Sequence, residues 1–252
     1  MNRSDIGDNP MDRRTAYQPT SSQEQFIVPL LRASIEAALR EFAAPLGPGK
    51  KLLDVGCGEQ PLRSILREMG FDYVGADVQQ NRSATVDFVT AIDQPLPPQL
   101  PARGPYDFIV CTEVLEHVAD WDTAFRNLRS LLAPGGRMLV TCPQFYPLHE
   151  IPHDFWRPTP YALQFFAARQ GLRILNQQSA GDGLEVLGTA LACVQPVSRS
   201  GGIFSRVVAF ACDVSRKAAF VLLRSRLLRQ YVKGQGVLYL SNIVVLECPA
   251  SN

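Results

Sequence analysis

An apolar run closes on two glycines at Lys51–Gly58, "KLLDVGCG", and this junction restricts the folds open to the chain. Leu52, Leu53 and Val55 suit a strand buried on both faces, as in a parallel sheet. Gly56 and Gly58 then let the backbone turn sharply and approach a ligand without side-chain interference. "PLRSILREM" follows as a helix, with Pro61 suited to its first turn. Strand, glycine turn and helix in that order begin an open α/β sheet, in which ligands sit at the carboxyl ends of the strands.

The alternation continues downstream. "FDYVGADV", "ATVDFVTAI", the start of "YDFIVCTEVL", "RMLVTCP", "LRILNQQSA" and "GVLYLSNIVVLECP" read as strands. "ADWDTAFRNLRSLLAPGG" reads as an amphipathic helix, with Asp120 or Asp122 near its cap and Gly135-Gly136 beyond its end. "TPYALQFFAARQG" is a helix with Thr159 as cap. Ahead of the first strand, "SSQEQFIVPLLRASIEAALREFAAPLG" is helical, capped by Ser21 or Ser22 and ended by Gly47-Pro48-Gly49, with Pro29 marking its true start or a kink. The pattern predicts an α/β, doubly wound, mostly parallel sheet in one domain over 21–252. Residues 1–20 are expected to be a disordered tail, and a basic helical insertion is expected at about 186–234.

Apolar residues make up 46% of the 252, so disorder over most of the chain is excluded. A net charge of +1 argues against general attraction to nucleic acid. The six cysteines are scattered without a CxxC pair and read as free thiols in a reducing compartment. The polar N-terminus has no signal-peptide core, and no apolar run reaches the about 18 residues of a spanning helix. A cytoplasmic chain is expected.

The glycine loop departs from a dinucleotide site, which disfavours a nicotinamide-linked oxidoreductase. A G-x-G-x-x-G fingerprint needs a third glycine where Pro61 stands, and there is no P-loop Gly-Lys-Ser/Thr. Asp77 ends the second strand about twenty residues after the loop, where a carboxylate can accept two ribose hydroxyls or cap a helix. Asp93 can accept from a base's exocyclic amine, with Ile92 packing the ring, or can form the turn before Pro95.

"LLDVGCGEQP", "VGADV", "IDQPLP", "FIVCTEVLEHV" and "LLAPGGRMLVTCP" occur in this order, each at a strand end. Together they resemble the class I S-adenosylmethionine-dependent methyltransferases, over roughly Leu52 to Gly171. The resemblance implies a Rossmann-like seven-stranded sheet whose last strand is antiparallel. It implies S-adenosylmethionine as cofactor, held by Asp54, Gly56, Cys57, Gly58, Asp77, Val78, Ile92, Asp93, Thr112 and Glu113. A methyl donor without pyrophosphate does not need the third glycine.

Candidate catalytic groups follow the fourth and fifth strands. "CTEVLEHV" supplies Glu113, Glu116 and His117, a set that shapes the pocket without metal or, in some relatives with a later histidine, holds a divalent ion, with His149 or His153 here as the fourth ligand. "CPQFYPLHEIPHDFWRPTP" is a loop rich in polar and aromatic side chains, suited to an acceptor lid. It is similar to the H-x-x-P-x-D-[FY]-x-R-x-T segment of methyltransferases encoded with polysaccharide enzymes. Within it His153 or His149 is the expected general base, beside Glu113 and His117. Tyr146, Asp154, Trp156 and Arg157 are expected to bind the acceptor, unless Asp154 and Arg157 pair to brace the loop. No Asn/Asp-Pro-Pro-Tyr follows the fourth strand, which lowers nucleic-acid amine methylation and favours O-methylation of a small-molecule, sugar or lipid-linked acceptor. A non-catalytic binding or scaffold protein on the same fold is the alternative.

The stretch from Arg199 to Lys233 holds eight Lys/Arg and one acid, Asp213. With apolar residues at helical spacing, it reads as a basic amphipathic segment for peripheral contact with the inner membrane face through 203–233. A helical hairpin packed on the sheet and a subunit interface are the other readings.

Overall fold

The computed structural model describes residues 14–194, 202–234 and 236–250. Its seven strands are β1 (Lys51–Val55), β2 (Asp72–Asp77), β3 (Phe88–Val89), β4 (Tyr106–Thr112), β5 (Leu132–Pro143), β6 (Arg173–Ala180) and β7 (Ser241–Glu247). They form one sheet in the order β3-β2-β1-β4-β5-β7-β6. Strands β1 to β5 pair in parallel, and β7 runs antiparallel to both β5 and β6. This is the expected mostly parallel sheet with its last strand reversed. The third strand is only two residues long, and the flanking Asp87 and Thr90 N–H groups donate to the Gly75 and Asp77 carbonyls of β2.

Helices cover both faces, and period two along each strand decides which residues go where. Phe108 and Val110 of β4 face one side, with Leu139 and Val245. There they meet Ile35 and Leu39 from α1 (Glu24–Ala38) and the turns that follow it, and Leu66 from α2 (Arg63–Glu68). Ile109 and Cys111 face the other side. They pack with Phe125 and Leu128 of α4 (Trp121–Leu131) and Leu163 of α5 (Pro160–Arg169). A short helix, α3 (Gln99–Arg103), adds Leu100 to that layer. Asp120 caps α4, its Oδ1 accepting from the Thr123 N–H at 3.1 Å. Pro29 lies inside α1, which begins before it.

One expectation about the ends of the domain changes. Residues 1–13 lie outside the described residues, but 14–20, expected in a disordered tail, are docked on the domain. Glu24 in the first turn of α1 accepts from Arg14 at 2.6 Å and from the Thr20 backbone and hydroxyl at 2.6 and 2.8 Å. The Tyr17 hydroxyl reaches the Thr112 hydroxyl at 3.0 Å. The insertion is helical as expected: α6 (Gly183–Ala192), α7 (Ile203–Arg224) and α8 (Arg226–Tyr231) precede β7. A capping box at Asp182 and Glu185 starts α6.

Helices α1 and α6 touch where Gly188 leaves no side chain. A Cβ there would lie 2.4 Å from Cζ of the buried Phe26 ring. Gly188→Ala is expected to lower stability by about 1–3 kcal/mol through overpacking, measured as a shifted midpoint in urea denaturation with unchanged slope.

Candidate active site

The glycine turn leaves β1 with left-handed backbone at Gly56 (φ 70°), Gly58 (φ 50°) and Gln60 (φ 59°). A Cβ on Gly56 would fall 2.2 Å from Cγ2 of Val114, so the turns after β1 and β4 meet at a distance only glycine allows. The Gly58 N–H donates to Asp77 Oδ2 at 2.8 Å, drawing the end of β2 against the loop. Asp54 is buried beneath it and accepts from the Tyr73 hydroxyl at 2.8 Å. Burial raises the Asp54 carboxyl to about 7, with Tyr73 opposing and Asp77 adding to the rise. A buried acid in this state is matched to a cationic ligand group.

The remaining cofactor residues fall around this cradle. Ile92 is buried and Asp93 half-buried in the turn after β3, where Asp93 Oδ2 faces the Asp120 N–H at 3.4 Å. Thr112 ends β4 and carries Tyr17. Cys57 turns its side chain into the protein, so it offers the loop only backbone, and Val78 is exposed. Tyr17 escaped the sequence reading because an isolated tyrosine in a polar terminus carries no pattern. Burial, and then the nearby Glu113 and Asp54 carboxyls, push its phenol up, against the bond from Thr112.

Glu113 departs from its expected catalytic place. Its backbone is left-handed (φ 54°), and Oε1 accepts from the Thr141 and Ser241 hydroxyls at 2.8 and 3.0 Å. The side chain thereby ties β4 to β5 and β7. Burial raises its carboxyl against the pull of those two hydroxyls.

The lid loop brings other groups together. His117 Nε2 and His149 Nε2 face each other at 3.1 Å. The fully buried Glu116 places Oε1 at 3.8 Å from the first and 3.9 Å from the second. That oxygen has no hydrogen-bond partner, while Oε2 takes the Cys142 thiol at 3.6 Å. Burial, then Glu113, raises the Glu116 carboxyl well above its usual range. His117 Nδ1 lies 2.8 Å from the His153 carbonyl, and His149 Nδ1 lies 3.2 Å from the Pro147 carbonyl. Carbonyls only accept, so each Nδ1 carries a proton, and with both rings neutral each Nε2 directs a lone pair at the other. Burial, then His117, lowers the His149 pKa. Glu116, His117 and His149 are the group able to hold a metal ion among the described residues, so of the two later histidines it is His149 that joins the set, and Glu113 stands outside it.

His153 is exposed, and it meets the cluster through its carbonyl, so its imidazole stands outside the Glu116, His117 and His149 group. Asp154 and Arg157 pair and brace the loop, the second of the two arrangements expected for them. Their side chains pair at 2.6 and 2.8 Å, and Arg157 also donates to the Tyr146 and Pro147 carbonyls. Burial pushes Asp154 up, but Arg157 and the His149 N–H outweigh it and hold the carboxyl below its usual range. Tyr146 stands edge-on to His149 with ring centres 5.2 Å apart. Trp156 is exposed, with its indole N–H on the Val118 carbonyl at 2.9 Å.

A model of the methyltransferase domain family matches residues 30–178. The chain belongs to this family, in its class I, S-adenosylmethionine-dependent form. The ubiquinone biosynthesis O-methyltransferase of Caulobacter sp. is 36% identical over 102 residues, covering 36% of this chain and 40% of that protein. The chain spans 39% to 45% of the length of such curated relatives. Among solved structures, the [4+2]-cyclase SpnF superposes with a TM-score of 0.53 at 18% identity over 88% of this chain and 81% of that one. The cyclopropane synthase MmaA2 from Mycobacterium tuberculosis gives 0.51 at 18% over 86% and 83%. Those likenesses establish the fold, which alone does not set the reaction.

If Asp54 meets the ammonium of the cofactor's methionine part, binding requires its ionised form. Titration calorimetry with S-adenosylhomocysteine is expected to show affinity constant above pH 7 and falling by up to about tenfold per unit below it. Asp54→Asn is expected to bind weakly with no such dependence.

Proposed function

We propose that the chain transfers a methyl group from S-adenosylmethionine to an oxygen of a small or lipid-linked acceptor, assisted by a divalent cation at Glu116, His117 and His149. The observation that carries this reading is the convergence of two imidazole lone pairs and an unpartnered buried carboxylate oxygen on one point. Two facing lone pairs repel, and a buried acceptor oxygen without a donor is costly. A cation relieves both. Two nitrogens and one oxygen suit a first-row ion such as zinc or manganese better than magnesium.

The residues of the glycine turn fit the cofactor on the same terms. Gly56 keeps the cradle open, Asp54 offers a negative charge and Asp77 offers carboxylate oxygens beside the loop. When bound, S-adenosylmethionine supplies an activated methyl that passes from sulfur to the acceptor oxygen in one displacement. The protein's part is mostly positioning. A cation held by Glu116, His117 and His149 would supply a Lewis acid that makes an acceptor hydroxyl easier to deprotonate, its proton leaving to solvent. His153 through its carbonyl, and Pro147 through its own, hold the two imidazoles in the tautomer that ligation needs. Oxygen is favoured because a hydroxyl needs such help and a neutral amine does not. The curated relative named for O-methyl transfer in ubiquinone biosynthesis supports the same preference.

Elemental analysis of protein purified without chelator is expected to give near one zinc or manganese per chain. His149→Ala and His117→Ala should each lose it, with affinity lowered by at least about tenfold. S-adenosylhomocysteine binding should persist in both. Absence of metal, no uptake on titration with zinc or manganese, and turnover surviving chelation would overturn the cation and leave His149 as a general base.

A further inference from the structure

Helix α7 (Ile203–Arg224) presents its apolar stripe to solvent. It meets the domain through Phe220 and Leu223, with the Phe220 ring edge-to-face on Phe26 at 4.9 Å and Arg224 donating to Gln25 at 2.9 Å. Three and four residues back along that row, Arg216, Asp213, Ala209 and Ser205 are half-buried. The row on the other side is Ile203, Val207, Phe210, Val214 and Val221, with Phe204 beside it. Exposure is 82% at Ile203, 81% at Phe204, 71% at Phe210 and 73% at Val221. An ordinary surface helix turns such a stripe inward.

Charge borders the stripe. From Ile203 to Lys233 the sequence has seven Lys/Arg and a single acid. That acid, Asp213, is engaged within its own helix by Arg216 at 3.0 Å and Lys217 at 2.7 Å. Arg206 is exposed beside Ile203, Val207 and Phe210, which form a shallow hollow with it. No described helix is long and apolar enough to cross a membrane.

We propose that α7 docks on an anionic lipid surface, lying in the headgroup region with Ile203, Phe204, Val207 and Phe210 turned to the acyl chains and Arg206 and Lys217 at the phosphates. Such a surface offers apolar depth and negative charge together, which is the complement of this face. A second copy docked face to face would bring Arg206 and Lys217 against their equivalents, with only the already paired Asp213 to oppose them.

The test is co-sedimentation of the full chain with phosphatidylcholine vesicles and with phosphatidylcholine–phosphatidylglycerol vesicles. Binding is expected to the anionic vesicles alone and to weaken in high salt. Arg206→Gln with Lys217→Gln should lower partition by about tenfold. Phe204→Ser with Val207→Ser and Phe210→Ser should abolish it, with the circular dichroism spectrum unchanged. No binding to anionic vesicles at low salt, or unchanged partition of both variants, would overturn the proposal. So would a dimer in sedimentation equilibrium that the serine variant dissolves, without vesicle binding. The proposal is independent of the methyl-transfer reading, and S-adenosylhomocysteine binding by the same samples separates a failure of one from a failure of the other.

Discussion

Glu116 is the residue on which the acceptor side of the domain is organised. Its carbonyl accepts the Phe155 and Trp156 N–H groups at 2.8 and 3.2 Å, pinning the lid to the turn after β4. Its side chain is fully buried between that turn and β5. A carboxylate oxygen without a donor in such a place costs roughly a few kcal/mol unless something compensates it. The two histidines that face this oxygen are fixed from behind by main-chain carbonyls, so the arrangement does not depend on long, free side chains.

The end of β4 divides the work of the site. Thr112 meets Tyr17, Glu113 is turned back into the sheet, and Glu116 with His117 faces the loop after β5. The left-handed residue at Glu113 is what lets three consecutive jobs be done by neighbouring side chains, since it reverses the course of the chain straight after the strand. The neighbours in fold, a cyclase and a cyclopropane synthase by their names, share the sheet. A shared sheet does not set the reaction.

Much of the fold was legible in local pattern. Apolar strands, Asp120 as a cap, Pro160 after Thr159 and the reversed last strand each follow from short stretches or from the family resemblance they carry. The glycine turn was legible too, because a left-handed turn at a strand end demands glycine wherever it occurs. The Asp154–Arg157 brace lies three residues apart and was open to reading as a pair. Tyr17 was not legible: its contact with Thr112 spans 95 residues and depends on Glu24 gathering the segment.

By itself, then, the sequence determined the order of strands and helices, the ligand end of the sheet and the residue types available for chemistry. These follow from periodicity, backbone freedom and charge, which act over a few residues. Only the tertiary structure decided the assignments within that set. Ser241 arrives from β7 to claim Glu113, His149 rather than His153 meets His117, and α7 turns its apolar row away from the core. Each of those choices is made by a partner dozens of residues away, or by the space left on a surface, and neither is written in local pattern.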